Sequence, residues 1–324
     1  MTRWWSRLRP DNFTLALLAT IVLASLLPMR GAGAMVLDDV TNIAIAALFF
    51  LHGARLSREA IVGGLLHWRL HLVILACTFV LFPLLGLLFF PLKGWLLTPE
   101  LYLGVLFLCA LPSTVQSSIA FTSMARGNVP AAVCSASLSS ILGVFLTPLL
   151  LTVLAGTSGA IHDPLRAIGG IMLQLLVPFV AGHLLRRWIA GWVERQRGLL
   201  RYTDQGTILL VVYSAFGESV NEGLWSQTPL VSLVTVAVVA AVLLGIAMPL
   251  ITLIARKLRF STEDEIAIVF CGSKKSLATG IPIAKVLFAG GSLGAIVLPV
   301  MIYHQIQLIV CGIIAQRYAR RPDR

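Results

Sequence analysis

From Leu230 to Ala255 the chain runs for 26 residues without a charged side chain. A membrane-spanning helix needs about 20 predominantly apolar residues, and a small water-soluble domain cannot bury every face of a rod this long. Similar blocks, bounded by Pro, Gly or charges, recur at 13–28, 36–53, 70–91, 101–123, 129–155, 166–186, 205–221, 230–255, 265–288 and 292–317. The pattern predicts an all-α polytopic membrane protein of ten transmembrane helices in a lipid bilayer. A transmembrane barrel would alternate apolar and polar residues, whereas Leu101 to Leu111 is one continuous block. Only 12% of the residues are charged and 58% are apolar, where a soluble domain carries about 25% charge. Ordinary soluble enzymes, disulfide scaffolds and disordered chains are thereby excluded.

The net charge of +11 would raise nucleic-acid binding in a soluble chain. Here the cations sit in short tufts between apolar blocks, without a basic stripe or interleaved stacking aromatics, so no nucleic-acid partner is expected. With ten spans, 19 of the 25 Lys and Arg fall on one side, in tufts at Arg3 to Arg9, Arg55 to Arg69, Arg126, Arg186 to Arg201, Arg256 to Arg259 and Arg317 to Arg324. Arg30, Lys93 and Arg166 fall on the other. The positive-inside rule makes the heavy side cytoplasmic, and both termini with it. A rival reading takes Arg3 to Arg9 and 13–28 as a signal sequence cleaved at Ala32-Gly33-Ala34. Cleavage would leave nine spans and an uneven division, so the segment is read as a retained first span with Trp4-Trp5 at the interface. The five cysteines, Cys77, Cys109, Cys134, Cys271 and Cys311, form no Cys-x-x-Cys pair and read as packing residues.

An even division falls in the polar connection Gly156 to Pro164, giving halves 1–155 and 156–324 of five spans each. Five is odd, so the halves would have opposite orientations, the inverted-repeat plan of many secondary transporters. In each half one span is interrupted. The fourth holds Pro112 followed by Ser113, Thr114, Gln116, Ser117, Ser118 and Thr122; the ninth holds Gly272, Ser273, Lys274, Lys275, Ser276, Gly280 and Pro282. Irregular backbone at membrane depth persists only where protein or a water-filled cavity supplies partners, so paired breaks point to a substrate site.

Lys274 and Lys275 weigh most. A cation at the centre of a span costs at least about 2.5 kcal/mol on insertion scales. The run Ser261-Thr-Glu-Asp-Glu265 reads as a capping box, starting the helix about 14 Å before the lysines and so placing them deep. Successive helical residues point about 100° apart, which would let one of the two face the site. Lys285, nearer the far end, reads as a snorkelling residue. In the fifth span Ser135 and Ser139 share one face at i, i+4 spacing, and in the tenth His304 is an intramembrane imidazole able to take up a proton near neutral pH.

Taken together these residues resemble the bile acid:sodium symporter superfamily, and in particular its sodium/bile acid cotransporter 7-like branch. The resemblance rests on Leu111-Pro112 through Ser117-Ser118 to Ala125-Arg-Gly-Asn128, Phe49-Phe-Leu-His-Gly53, His67-Trp-Arg-Leu-His71, Phe270-Cys-Gly-Ser-Lys-Lys-Ser-Leu277, Gly280-Ile-Pro-Ile-Ala-Lys285 and Tyr303-His304. It implies a panel domain from spans 1, 2, 6 and 7, and a core domain from spans 3 to 5 and 8 to 10 in which discontinuous helices 4 and 9 cross. It also implies sodium ligands in a Ser-Asn pair, in span-5 hydroxyls and in a Glu followed by a Gln. The pair falls on Ser117 and Ser118, the Glu falls near Phe270 and is missing, and Lys274 stands about where the Gln would be.

The expectation is therefore a symporter-like transporter of a small organic anion, in which Lys274 or Lys275 takes the place of a sodium ion near Ser117, Ser118 and Ser135. The coupling ion would be sodium or a proton, without an organic cofactor, in a bacterial inner membrane. The runner-up is a regulatory membrane protein that affects ion handling without substrate flux. An intramembrane serine hydrolase built on Ser273 or Ser276 with a lysine base, and a channel, are weaker alternatives: no cytosolic active-site loop and no repeated pore-lining ring support them.

Overall fold

The computed structural model describes residues 12–55, 67–156, 172–221, 224–227, 229–288 and 293–321. The Arg3 to Arg9 tuft with Trp4-Trp5, Arg58, Arg166, Arg324 and residues 157–164 of the mid-chain connection lie outside these ranges. Among the described residues the fold is all-helical, with one isolated bridge between Lys93 and Leu97. The main helices are α1 (Asn12–Leu26), α2 (Ala32–Arg55), α3 (Trp68–Leu87), α4 (Pro99–Ala110), α5 (Gln116–Met124), α6 (Val129–Gly156), α7 (Val177–Arg195), α8 (Arg197–Asn221), α9 (Leu230–Lys257), α10 (Thr262–Ser273), α11 (Leu277–Leu287) and α12 (Leu293–Ala319).

Among the described residues six rods are long and apolar enough to cross a membrane: Ala32–Arg55, Trp68–Leu87, Val129–Leu154, Leu230–Lys257, Thr262–Leu287 and Leu293–Ala319. Leu15–Leu26 and Pro99–Ala110 are shorter apolar helices. Helices suit such a chain because they satisfy every backbone group within the segment, which lipid cannot do. The rod Thr262–Leu287, made of α10 and α11, is unlike the others. Within its 18-residue apolar stretch 94% of the residues are buried inside the protein, against 28–56% in the corresponding stretches of the remaining five, so protein rather than lipid surrounds its polar residues.

The start of α10 follows its sequence signal. Ser261 Oγ accepts from the Asp264 N–H at 3.1 Å, and Glu263, Asp264 and Glu265 fill the first turn, where carboxylates complement the helix dipole. Glu265 is buried and receives Arg256 Nε at 2.9 Å, the other guanidinium arm at 3.0 Å and the Tyr318 hydroxyl at 2.7 Å. One carboxylate thus ties α9, α10 and α12 together. Glu265→Ala is expected to lower stability by about 1–3 kcal/mol in thermal unfolding of the detergent-solubilised protein. Glu263→Ala, which removes a half-exposed partner of Arg321, should cost under about 1 kcal/mol.

Helix α2 packs against α7 and α8, and α1 against α8. The approach of α2 to α7 is very close. A Cβ on Gly53 would overlap the Phe179 carbonyl, and one on Gly182 would overlap the Phe50 carbonyl. On the other side, α4 packs against α12, α6 and α3, while α9 packs against α10 and α12. Helix α8 also touches α11 and α12. Lys285 departs from the sequence reading: it does not snorkel outward. It is 7% exposed, pairs with Asp38 of α2 and Glu218 of α8, and donates to Ser214 Oγ at 3.2 Å. Two carboxylates within the fold hold it more favourably than solvent reached past a helix end.

Candidate functional site

Two prolines and a widened helical turn prepare the centre of the molecule. Helix α3 opens into a π-helical turn over Cys77–Leu81, where the Phe82 N–H donates to the Cys77 carbonyl. That deprives the Thr78 carbonyl of its α-helical donor, and the next residue that could serve, Pro83, has no N–H. Helix α4 stops at Ala110 because Pro112 follows. The Ser113 N–H then turns away to Ser139 Oγ at 3.0 Å, leaving the Cys109 carbonyl without its helical donor. The Leu111 carbonyl loses its own where the chain runs irregularly to Gln116.

All three released carbonyls meet one cation. The Lys275 ammonium donates to the Thr78 carbonyl at 2.8 Å, the Cys109 carbonyl at 2.9 Å and the Leu111 carbonyl at 2.8 Å. An ammonium has three donors, so its capacity is filled, and the Phe82 ring covers it at 4.3 Å from the centroid. The backbone of the same residue is held as well. Its N–H donates to Gln307 Oε1 at 2.9 Å, and Gln307 Nε2 donates back to its carbonyl at 3.0 Å. The next N–H, that of Ser276, donates to the Pro112 carbonyl at 2.9 Å, and Tyr303 donates to the Ser273 carbonyl at 2.8 Å. The two interrupted segments are therefore bonded directly to one another.

Lys274 faces elsewhere. Its backbone is extended, so neighbouring side chains point to opposite sides rather than the 100° apart that a continuous helix would give. Its ammonium is fully buried, lies 4.1 Å from the Phe121 ring centroid and has no hydrogen-bond acceptor among the described residues.

The hydroxyls form a network of their own. Thr114 Oγ1 lies 2.9 Å from Ser117 Oγ and 3.0 Å from Ser118 Oγ, and Ser118 donates to the Phe270 carbonyl at 3.3 Å. Ser113 Oγ and Ser118 Oγ are 3.5 Å apart. Ser135 is bonded to His71 Nδ1 at 2.6 Å, and Ser273 donates to the Val269 carbonyl within its own helix at 2.6 Å.

Beside the two breaks lies a cavity of about 520 Å³. Thr114, Gln116, Ser117, Ser276 and His304 line it, with Ser137 and Ser140 of α6. Ser113, Ser118, Ser135, Ser139, Ser273, Lys274 and Lys275 stand behind this wall rather than on it. The first turns of α5 and α11 open onto the cavity, at Gln116–Ser117 and Leu277–Thr279. Helix N-termini carry N–H groups outside the helical ladder and partial positive charge; at α11 the Thr279 N–H is capped by Ser276 Oγ at 3.1 Å. Across from them stand Phe13, Leu48, Phe179 and Ile208, with His52 and the ion pair Arg55–Asp204 at 2.6 Å. Sequence reasoning used Arg55 only to orient the chain and passed over Asp204 and Gln307. A second cavity, about 1050 Å³, follows along α2 and α8 and holds Lys285, Asp38, Glu218 and Arg30.

Comparison with known proteins gives a consistent result. A family model described as the SBF-like CPA transporter family matches residues 11–320. An uncharacterized protein of Pseudomonas aeruginosa is 64% identical over 317 residues, covering 98% of this chain and 95% of the relative. YfeH of Escherichia coli K12, which carries a symporter name, is 54% identical, covering 97% and 94%. Sodium/bile acid cotransporter 7 of Mus musculus is 30% identical, covering 96% and 93%.

Proposed function

The chain belongs to the SBF-like CPA transporter family, and from that membership we propose that it is a secondary active transporter of a small organic anion whose bound cation is built in as Lys275. It is an integral membrane protein of a transporter family, not an enzyme. The observation that carries the proposal is the ammonium of Lys275 held by three main-chain carbonyls at 2.8–2.9 Å where the two interrupted segments meet. Oxygen ligands converging on one positive charge are what a hard monovalent cation requires, and here the charge is covalently supplied.

The anion preference rests on the cavity. Two helix N-termini bias it toward negative charge, while Phe13, Leu48, Phe179 and Ile208 offer an apolar wall. In this reading the chain has ten spans in two inverted halves, 1–155 and 156–324. Helices α1, α2, α7 and α8 form the panel and the remaining helices the core, with the broken pairs α4/α5 and α10/α11 crossing at their breaks. The cavities in series along α2 and α8 suit access from alternate sides. Bacterial relatives and the charge sorting favour an inner membrane with both termini cytoplasmic.

A thermal-shift screen of organic carboxylates and sulfates on purified protein supplies the probe, and proteoliposome uptake of that probe is then compared in sodium and in choline buffers. Equal uptake in the two is expected. Uptake that strictly requires sodium would overturn the assignment of Lys275 as the resident cation.

A further inference from the structure

The clamp on Lys275 also settles the state of a neighbour that faces the cavity. Gln307 Oε1 must be the atom that accepts from the Lys275 N–H, because a backbone N–H only donates. Its Nε2 donates to the Lys275 carbonyl at 3.0 Å, and the same Nε2 lies 3.0 Å from His304 Nδ1. An amide nitrogen has donors and no acceptor. His304 Nδ1 is therefore the acceptor, and the ring is the neutral tautomer with its proton on Nε2. Gln307 cannot reverse this by flipping, since its NH2 group would then oppose the Lys275 N–H.

Resting on the proposed transporter reading, we infer that His304 is the coupling-proton site, and that proton binding there excludes the His304–Gln307 bond that steadies the Gln307 clamp on Lys275. The incoming proton adds to the lone pair of Nδ1, the only unprotonated ring nitrogen, and yields an imidazolium. Nδ1–H would then face Nε2–H of Gln307, donor against donor. Either Gln307 leaves Lys275, or the imidazole leaves Gln307 and the amide that clamps Lys275 loses the third bond that orients it; in both cases the extended segment at the helix break is held less firmly. Gln307 is a positioning residue here: it converts a proton on the cavity wall into slack in the backbone of Lys275.

The surroundings show what would favour the proton. On the helices packed against α12, the ionisable groups are Glu100, Tyr102 and Cys109 of α4, Arg197, Arg201, Tyr202, Asp204, Tyr213 and Glu218 of α8, Arg256 and Lys257 in the last turn of α9, and Lys285 of α11; α5 has none. Lys274 and Lys275 lie at the break itself. The groups sharing the cavity with His304 are His52, Arg55 and Asp204, and the last two are already paired with each other. The charge that decides the balance is that of an anionic ligand at the N-termini of α5 and α11. Its arrival favours an imidazolium on the same wall, so ligand and proton are taken up together.

The test is made on the full chain in nanodiscs. With ¹⁵N-imidazole histidine labelling, the His304 signals are identified as those lost in His304→Gln and should report the Nε2–H tautomer near pH 8. Hydrogen exchange over residues 274–276, corrected for the intrinsic rate, should lose about tenfold or more of its protection between about pH 8 and about pH 5.5. In His304→Gln that loss should vanish. An Nδ1–H tautomer in the unmodified protein would overturn the inference, as would protection that is constant across the range or equally pH-dependent without His304. Neither readout involves flux, so a negative result counts against His304 whatever the sodium experiment gives.

Discussion

Lys275→Ala is expected to lose most of its thermal stability in sodium-free buffer and to regain part of it as sodium is added, while the unmodified protein ignores sodium. The substitution takes away one ammonium and leaves the carbonyls of Thr78, Cys109 and Leu111 pointing at one another. A buried polar group deprived of its partner costs about 1–3 kcal/mol, and three in one place add mutual repulsion of their dipoles. The helical donors that would otherwise serve them are absent, because Pro83 and Pro112 lack N–H groups and the Ser113 N–H is committed to Ser139. The gap left by the side chain is polar and ringed by oxygens, as a sodium site must be. A sodium titration of unfolding temperature checks this directly: a flat response in the variant would sink the cation-cage account. Lys274→Met supplies the contrast. That ammonium makes no hydrogen bond, so replacing it with an apolar chain of similar length should be neutral or stabilising.

The second large effect is expected where α2 meets α7. Two Phe-x-x-Gly segments, Phe50 to Gly53 and Phe179 to Gly182, face each other so that each glycine lies under the other segment's phenylalanine carbonyl. The Cβ of Gly53→Ala would meet backbone atoms, with the Phe179 carbonyl carbon at 2.8 Å and the His183 nitrogen at 3.0 Å, and no rotamer change can relieve it. Each single alanine should cost about 1–3 kcal/mol by opening the helix pair. The double variant should cost clearly less than the sum, since the first separation makes room for the second. Thermal unfolding of the four proteins measures this cycle. Additive losses would mean that the two glycines do not share one contact. Because Phe179 and Leu48 line the cavity, Gly53→Ala should also weaken ligand binding.

The broad plan is legible in the amino-acid sequence. Long uncharged blocks demanded helices, Pro112 announced the end of α4, and Ser261 with its acidic followers marked the start of α10. That the break residues meet was foreseeable only as an expectation, because pairing of distant segments leaves no local signature. The division of labour between the two lysines was not readable at all. The partners of Lys275 are main-chain carbonyls 164 to 197 positions away, and a carbonyl has no letter in the sequence. Gln307 was passed over for a related reason, since its role is to replace missing backbone hydrogen bonds. Lys285 misled because nearness to a helix end suggests escape to solvent, whereas Asp38 and Glu218 reach it from two other helices. The π-helical turn at Cys77–Leu81 had one hint, Pro83, whose meaning depends on the carbonyl it leaves unbonded.

The four-methylene tether of Lys275 has a thermodynamic meaning of its own. A dissociable ion enters on one side and leaves on the other, delivering the energy of its concentration difference with each turnover. A tethered ammonium returns to its starting point and delivers none. It can tighten or orient a ligand, yet it does no net work. Accumulation beyond equilibrium must then draw on another gradient or on the transmembrane potential, about 2.3 kcal/mol per elementary charge for each 100 mV. A monoanion moving alone into a cell with a negative interior would run against that potential. One accompanied by a proton would cross without net charge and be driven by the pH difference alone.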